Sequence, residues 1–157
     1  MDKTWQDALG RMTYGIYVLT SAQGAQINGM IASWASQVSH EPPLIMVAIH
    51  PNRYSHALVE KSRAFALHVL DRNQKNLIRR FKGPDPQAKF ESLSWVRGKT
   101  GSPILQECIA CVECEVRAKY EPGNHSLFVG EVVQAHVFLQ SDPLSTLDYE
   151  GVYQGRS

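Results

Sequence analysis

Asn28-Gly29-Met30-Ile31-Ala32-Ser33-Trp34-Ala35-Ser36-Gln37-Val38-Ser39-His40-Glu41-Pro42-Pro43 is the stretch that decides how this chain is read. It opens on a hairpin-like pair, runs as a strand that alternates poorly, and stops at a double proline. Gly29, Ala32, Ser33, Ala35, Ser36 and Ser39 stand where a strand prefers large β-branched or aromatic residues. Small side chains let something flat approach the backbone, so the stretch predicts the wall of a cofactor site. The plainer alternative is a barrel corner or tight sheet packing.

On its N-terminal side, residues 2–12 suit a short amphipathic helix with Trp5, Leu9 and Met12 on one side. Residues 14–21 read as a first strand, and a turn at Gly24 returns the chain through one long strand, residues 26–39. Gly29 inside that strand marks a bulge or a close approach of backbone to ligand. Beyond the prolines, residues 44–49 are an unbroken apolar run, predicted to be a central strand buried on both faces.

Farther on, a helix is expected over residues 54–61 and a strand over 64–70. Asp71, with Gln74 three residues later, resembles a capping box opening a helix through Leu77, Ile78 and Phe81. Gly83-Pro84-Asp85-Pro86 is a loop, and residues 89–97 are irregular with room for a short strand near Trp95. Residues 108–120 pair with 126–139 across a turn at 121–125, making a long hairpin. The tail from Ser141 carries Leu144, Leu147, Tyr149 and Tyr153 and is expected to pack back on the domain. Six or seven strands with short connections and two or three helices predict a mainly β protein, an antiparallel barrel. No Gly-x-Gly-x-x-Gly follows a strand, so nothing suggests a βαβ dinucleotide fold.

The chain has 157 residues and reads as one domain over residues 1–157. A net charge of +1 argues against nucleic acid or an anionic membrane as the main partner. No apolar run reaches membrane-spanning length and the N-terminus is polar, which points to the cytoplasm. Cys108, Cys111 and Cys114 form Cys-x-x-Cys-x-x-Cys. On a strand Cys111 faces away from the other two, so the three are expected to be small, reduced core residues and not metal ligands. His68 reads as a hydrogen-bonded core residue, and His40, His56 and His136 have no metal spacing.

Three constellations are able to carry chemistry. Backbone N–H groups near Ala32, Ser33 and Trp34, with the Gln37 amide, are fixed uncharged donors for the polar edge of a planar ring such as a flavin. Asn52, Arg53 and Ser55 combine an amide, a guanidinium, a hydroxyl and a helix N-terminus, the makings of a phosphate cradle. His125, at the turn Gly123-Asn124-His125, is placed to reach over a cofactor face. Each has a plainer reading: a helix cap with a solvated arginine, and a solvent-exposed turn histidine. The basic group Arg72, Lys75, Arg79 and Arg80 reads as a solvated helix face that a phosphate-bearing partner could also use.

The order of these patterns resembles the flavin reductase-like family of FMN-binding split barrels. Residues 29–43 are similar to its Gly-x-Thr-x-Ser-Ser-x-x-Ser-Val-Ser-x-x-Pro-Pro wall, and residues 64–70 to its Phe-x-Val-Asn-Val-Leu strand. Residues 123–132 are similar to its Gly-Asp-His-x-Leu-Phe-x-Gly-Glu-Val hairpin, and residues 147–153 to its closing segment. The resemblance implies an FMN-binding split barrel, an antiparallel Greek-key β-barrel with two or three short helices.

It further implies FMN, with FAD as the alternative, held against Met30, Ile31, Ala32, Ser33 and Trp34, with Gln37 and Ser39 at its edge. Phosphate contacts fall to Asn52, Arg53 and Ser55, with Lys89 as a further one. His125 matches the histidine near the flavin's reactive face, where NAD(P)H binds. The implied activity is hydride acceptance from NAD(P)H, with electrons passed to free flavin or a protein. The implied assembly is a homodimer. Two positions depart: the family's threonine is Ile31 and its second serine is Trp34, whose indole would narrow the path to the flavin. The remaining pattern looks closest to members fused to, or partnered with, rubredoxin-like carriers. That leaves a flavoredoxin-like electron carrier, reduced by a ferredoxin or rubredoxin, as the second reading, and a flavin-storage protein as a third.

Overall fold

The computed structural model describes residues 1–149. Seven antiparallel strands form one sheet in the order β2-β1-β5-β8-β9-β4-β3. These are β1 (Tyr17–Gln23), β2 (Gln26–Ala32), β3 (Ala35–Ser39), β4 (Leu44–Ile49), β5 (Ala64–Val69), β8 (Ala110–Tyr120) and β9 (Ser126–Val137). A separate small hairpin joins β6 (Trp95–Arg97) to β7 (Pro103–Leu105). The helices are α1 (Lys3–Leu9), α2 (Tyr54–Ser62) and α3 (Asn76–Phe81). The mainly β, antiparallel, three-helix architecture is the one expected from the sequence.

The decisive difference lies in the quoted stretch. Residues 26–39 are not one strand: the chain breaks at Ser33 and Trp34, and β2 and β3 become the opposite ends of the sheet. Consecutive strands at opposite ends make the sheet curl until its edges meet at this crossing. The Trp34 carbonyl accepts from Ala48 N–H at 2.9 Å, which pins the crossing to β4. The barrel is therefore split here, where the small residues sit, and β2 is hydrogen-bonded on one side only, by β1.

Alternation along the strands divides the core in two. Val18, Ala66, Leu70, Phe81 and Ile104 pack on one side, and Leu19, Val47, Phe65, Leu67 and Phe128 on the other. β4 is paired on both edges, by β3 and β9, but only Val47 and Ile49 are buried. Its outward face is not covered as a parallel central strand would be, which corrects the expectation of burial on both faces. Gly29 sits in unbroken register opposite Thr20, so there is no bulge. A Cβ there would lie 2.5 Å from the Phe81 ring and 3.4 Å from Phe90, so the close approach is by core aromatics and not by a ligand.

Asp71 and Gln74 form only half of the expected capping box: Asp71 N–H donates to Gln74 Oε1 at 2.7 Å, but Gln74 N–H donates to the Asp71 backbone carbonyl at 2.8 Å while the Asp71 carboxylate accepts from Asn73 N–H. They close a turn, and α3 begins only at Asn76. Cys108 lies before β8 and shares a core cluster with Cys111, while Cys114 packs on the other side. Cys111 and Cys114 face opposite ways on β8, as alternation predicts, but Cys108 lies outside the strand and does not follow it, so the expected grouping of Cys108 with Cys114 is wrong. All three cysteines are free and buried, as expected, and burial pushes the Cys108 and Cys114 thiols up to about 12. Leu144 packs into the core, but Leu147 is 80% exposed, and Tyr153 lies outside the described residues. No helix among the described residues is long and apolar enough to cross a membrane.

Candidate functional site

Where the barrel is split, a cleft of about 190 Å³ opens between the outer half of β2 and the start of α2. Asn28, Met30 and Ile31 line one side, Asn52, Arg53 and Tyr54 another, and the loop after α3 (Lys82, Gly83, Pro84, Pro86) forms the opposite lip. Lys89, in a single 3-10 turn at Ala88–Phe90, reaches in from below.

Lys89 is only 7% exposed, an unusual place for an ammonium. Its Nζ donates to Asn28 Oδ1 at 3.0 Å and to the Gly29 carbonyl at 2.8 Å. Both acceptors are neutral. Among the described residues neither Lys89 nor Arg53 forms an ion pair. Burial, with the Arg53 guanidinium beside it, lowers the Lys89 pKa from its ordinary value. Two cations facing one cleft without a counter-charge are costly unless an anion completes them. Asn28 is the hub of this arrangement: its Nδ2 donates to Ser55 Oγ at 2.9 Å, which fixes its Oδ1 toward Lys89.

α2 adds to the field. Arg53 occupies its N-cap position and no side chain caps the helix, so its first N–H groups are not claimed by a capping side chain. An anion here meets positive dipole as well as two cations.

Above the cleft, three rings meet. His125 lies 4.9 Å from the Trp34 indole and 5.2 Å from His50, edge to face with the latter. Asn124 Oδ1 is 2.8 Å from His125 Nδ1, so Nδ1 donates and Nε2 keeps its lone pair. Burial, then His50 and Arg53, lowers the His125 pKa, which favours the neutral imidazole. Asn52 N–H donates to His50 Nδ1 at 3.2 Å, joining the rings to the cleft.

Of the residues singled out from sequence, Met30, Ile31, Asn52, Arg53 and Lys89 line the cleft, while Trp34 and His125 meet above it. Ala32 and Ser33 are buried at the crossing. Gln37 and Ser39 lie on the edge strand β3, where the Gln37 amide donates to the Ser39 carbonyl at 3.1 Å and does not reach the cleft. Ser55 is fully buried behind the cleft and acts on Asn28 instead of lining the opening. Asn28, Tyr54, His50 and the Lys82–Gly83 loop were not anticipated as site residues. A buried-strand asparagine was the available signal for Asn28.

The profile of the flavin reductase like domain matches residues 9–156. The chain belongs to the flavin reductase-like family. This flavin reductase-like domain, of oxidoreductase type, is 31% identical over 152 residues to a high molecular weight rubredoxin of Moorella thermoacetica, covering 94% of this chain but 66% of that protein. It is 31% identical over 155 residues to a ferric-chelate reductase (NAD(P)H) of Archaeoglobus fulgidus, covering 96% of this chain and 92% of that one. Among solved structures, the NADH:FAD oxidoreductase of Streptomyces globisporus superposes with a TM-score of 0.83 at 27% identity, covering 90% of this chain and 86% of the other. The flavin reductase-like domain thus shares its split-barrel fold and family with NAD(P)H-dependent flavin enzymes.

Proposed function

We propose that this chain is a cytoplasmic, homodimeric, FMN-binding oxidoreductase, with residues 1–157 acting as one domain. It takes hydride from NAD(P)H and passes the electrons to free flavin or to a rubredoxin- or ferredoxin-like protein. The observation that carries this reading is the buried Lys89 beside Arg53, neither with an ion-pair partner among the described residues. A phosphate monoester fits that cradle: it supplies the missing charge and accepts from Lys89, Arg53 and the start of α2.

With the phosphate there, the isoalloxazine would lie on Met30 and Ile31 toward the crossing at Ser33, where small residues let it approach the backbone. Bound in that position, a flavin supplies hydride acceptance and onward release of two electrons. The chain's own residues need no acid–base pair for this. Lys89 and Arg53 anchor the phosphate, β2 presents its unpaired edge to the ring, and Trp34 with His125 walls off one side of the approach. A neutral His125 packs against a nicotinamide without adding positive charge beside it.

The homodimer is supported by α1, which has no buried residue: Trp5 and Leu9, with Met12 just beyond, leave an apolar side that a second copy would cover. The kinship with a named rubredoxin supports the second reading, a flavoredoxin-like carrier reduced by a protein partner. Anaerobic stopped-flow mixing of the FMN-loaded protein with NADH and with NADPH separates the two. Loss of the flavin absorbance with either nucleotide is expected. A protein that keeps its FMN but is bleached by neither is a carrier, and the reductase reading fails.

A further inference from the structure

The first turn of α2 faces two ways, and each way ends on a residue of the site. Ser55 holds the Asn28 amide that meets Lys89. His56, the next residue, reaches the start of β9, where its Nε2 lies 2.8 Å from Ser126 Oγ. Ser126 directly follows His125 and stands opposite Ile49 in the β4–β9 ladder. The next pair outward is His50 and His125, whose rings meet at 5.2 Å. Where Ser126 is fixed, His125 is fixed with it.

The turn that carries His125 has little else to hold it. Outside the strand ladders, no backbone hydrogen bond among the described residues involves residues 121–125, and residues 121–124 are exposed. On the leading leg of the turn, Lys119 Nζ pairs with Glu60 at 2.6 Å and with Glu121 at 3.0 Å. Both carboxylates face solvent, where ion pairs hold little. The His56–Ser126 bond differs, because the two residues are 7% and 1% exposed. The His56 ring also stands edge to face with the buried Phe128, 5.2 Å away. Breaking that bond strands a polar group in the core, so it persists where the surface pairs do not.

Burial lowers the His56 pKa, which favours the neutral ring. The Glu60 carboxylate, 3.8 Å from Nδ1, favours the proton on that nitrogen, which leaves Nε2 to accept from the Ser126 hydroxyl. Serine, histidine and carboxylate stand here in the order of a nucleophilic triad. Ser126, at 1% exposure, offers no hydroxyl to a substrate, so the pair holds the chain and does not attack.

We infer that His56 is a positioning residue: by fixing Ser126 it registers His125 against Trp34 and against the anion cradle that the same helix opens. The inference rests on the flavin reading of the cleft and adds to it the device that ties the reactive side to the anchor.

The test begins with the flavin-free protein. In its NMR spectrum the His125 ring signal is displaced by the neighbouring Trp34 indole, and Trp34→Ser marks the undisplaced position. Ser126→Ala, which removes one hydroxyl, and His56→Leu each shift the signal toward that position. His56→Gln, whose amide reaches Ser126 as Nε2 does, keeps it where the wild type has it. In the FMN-loaded protein, anaerobic stopped flow with NADH and NADPH reads the limiting rate of flavin reduction. Ser126→Ala lowers that rate about tenfold while the FMN Kd stays within about twofold. Added to His125→Ala it lowers the rate no further, because both changes remove one effect. An unmoved His125 signal, an unchanged rate or a further loss on top of His125→Ala overturns the assignment. So does an FMN Kd that rises in step with the rate loss, which places the pair in the cradle instead. A wild type that binds no flavin, or whose flavin neither nucleotide bleaches, fails the flavin or the reductase reading, and the NMR comparison then decides the role of His56 by itself.

Discussion

The ammonium of Lys89 is held 3.0 Å from the amide oxygen of Asn28, across 61 residues of sequence. The other end of the same amide is fixed by Ser55, and with a second donor held by the Gly29 carbonyl, one N–H of Lys89 is left over at the lining of the cleft. Replacing Lys89 by methionine keeps the bulk and removes the charge. Flavin affinity is expected to fall by about tenfold to a hundredfold, the weight of one charge-assisted hydrogen bond (~1.5–3 kcal/mol). Fluorescence titration with FMN reads this directly. An unchanged Kd would mean that Lys89 serves the fold alone.

Gly29 bears on stability and not on ligand approach. An added Cβ meets Phe81 at 2.5 and 2.7 Å, and a ring packed in the core is unable to yield as a flexible side chain would. Gly29→Ala should cost about 1–3 kcal/mol through overpacking. Urea denaturation of the flavin-free protein measures it, and a variant as stable as wild type would contradict the packing described.

Stability should drop in mild acid because of His68. Leu105 N–H donates to its Nε2 at 3.0 Å, so Nδ1 carries the proton and donates to the Val18 carbonyl at 3.0 Å. Burial lowers its pKa from 6.5 to about 4. The unfolded chain therefore binds a proton that the folded one refuses, and stability is lost as pH falls from the ordinary histidine range toward 4. The loss is on the order of 3 kcal/mol for a shift of this size. His56 and His125, lowered by burial as well, add in the same direction. Denaturant midpoints at pH 7 and pH 5 should differ in the wild type and differ less in His68→Gln. A pH-independent midpoint would refute the assignment.

Trp34 and His125 should separate access from anchoring. Trp34→Ser removes the indole that stands 4.9 Å from His125 and opens the approach. Reduction by NAD(P)H and release of flavin are both expected to quicken several-fold. His125→Ala should slow reduction by roughly tenfold through lost positioning, with FMN affinity unchanged. Stopped-flow traces distinguish the two variants, and a His125→Ala protein with wild-type reduction rates would remove that residue from the site.

Much of the architecture was legible in local pattern. The β1–β2 hairpin shows in Gly24, whose φ of +60° a side chain would resist. The turn at residues 121–125 and its two flanking strands are where composition places them. The helix after Arg53 starts within the expected residue. What local pattern missed were events with distant causes. Cys108 lies ahead of β8, so the alternation of that strand does not reach it and it packs with Cys111 instead of Cys114; where a strand begins depends on which residues find a ladder partner. The short strand expected near Trp95 is β6, but its partner β7, three residues long, is too short for periodicity to register.

By itself the sequence determined the antiparallel character, the family and five of the residues that line the cleft, Met30, Ile31, Asn52, Arg53 and Lys89, because each depends on neighbours in the chain. Only the tertiary structure decided that the stretch at residues 28–43 would break at Ser33 and Trp34, and that Lys89 would be buried beside Arg53 with no ion-pair partner among the described residues. Those outcomes follow from a sheet closing on itself and from a buried charge meeting neutral partners far along the chain, relationships that arise only once the core has packed.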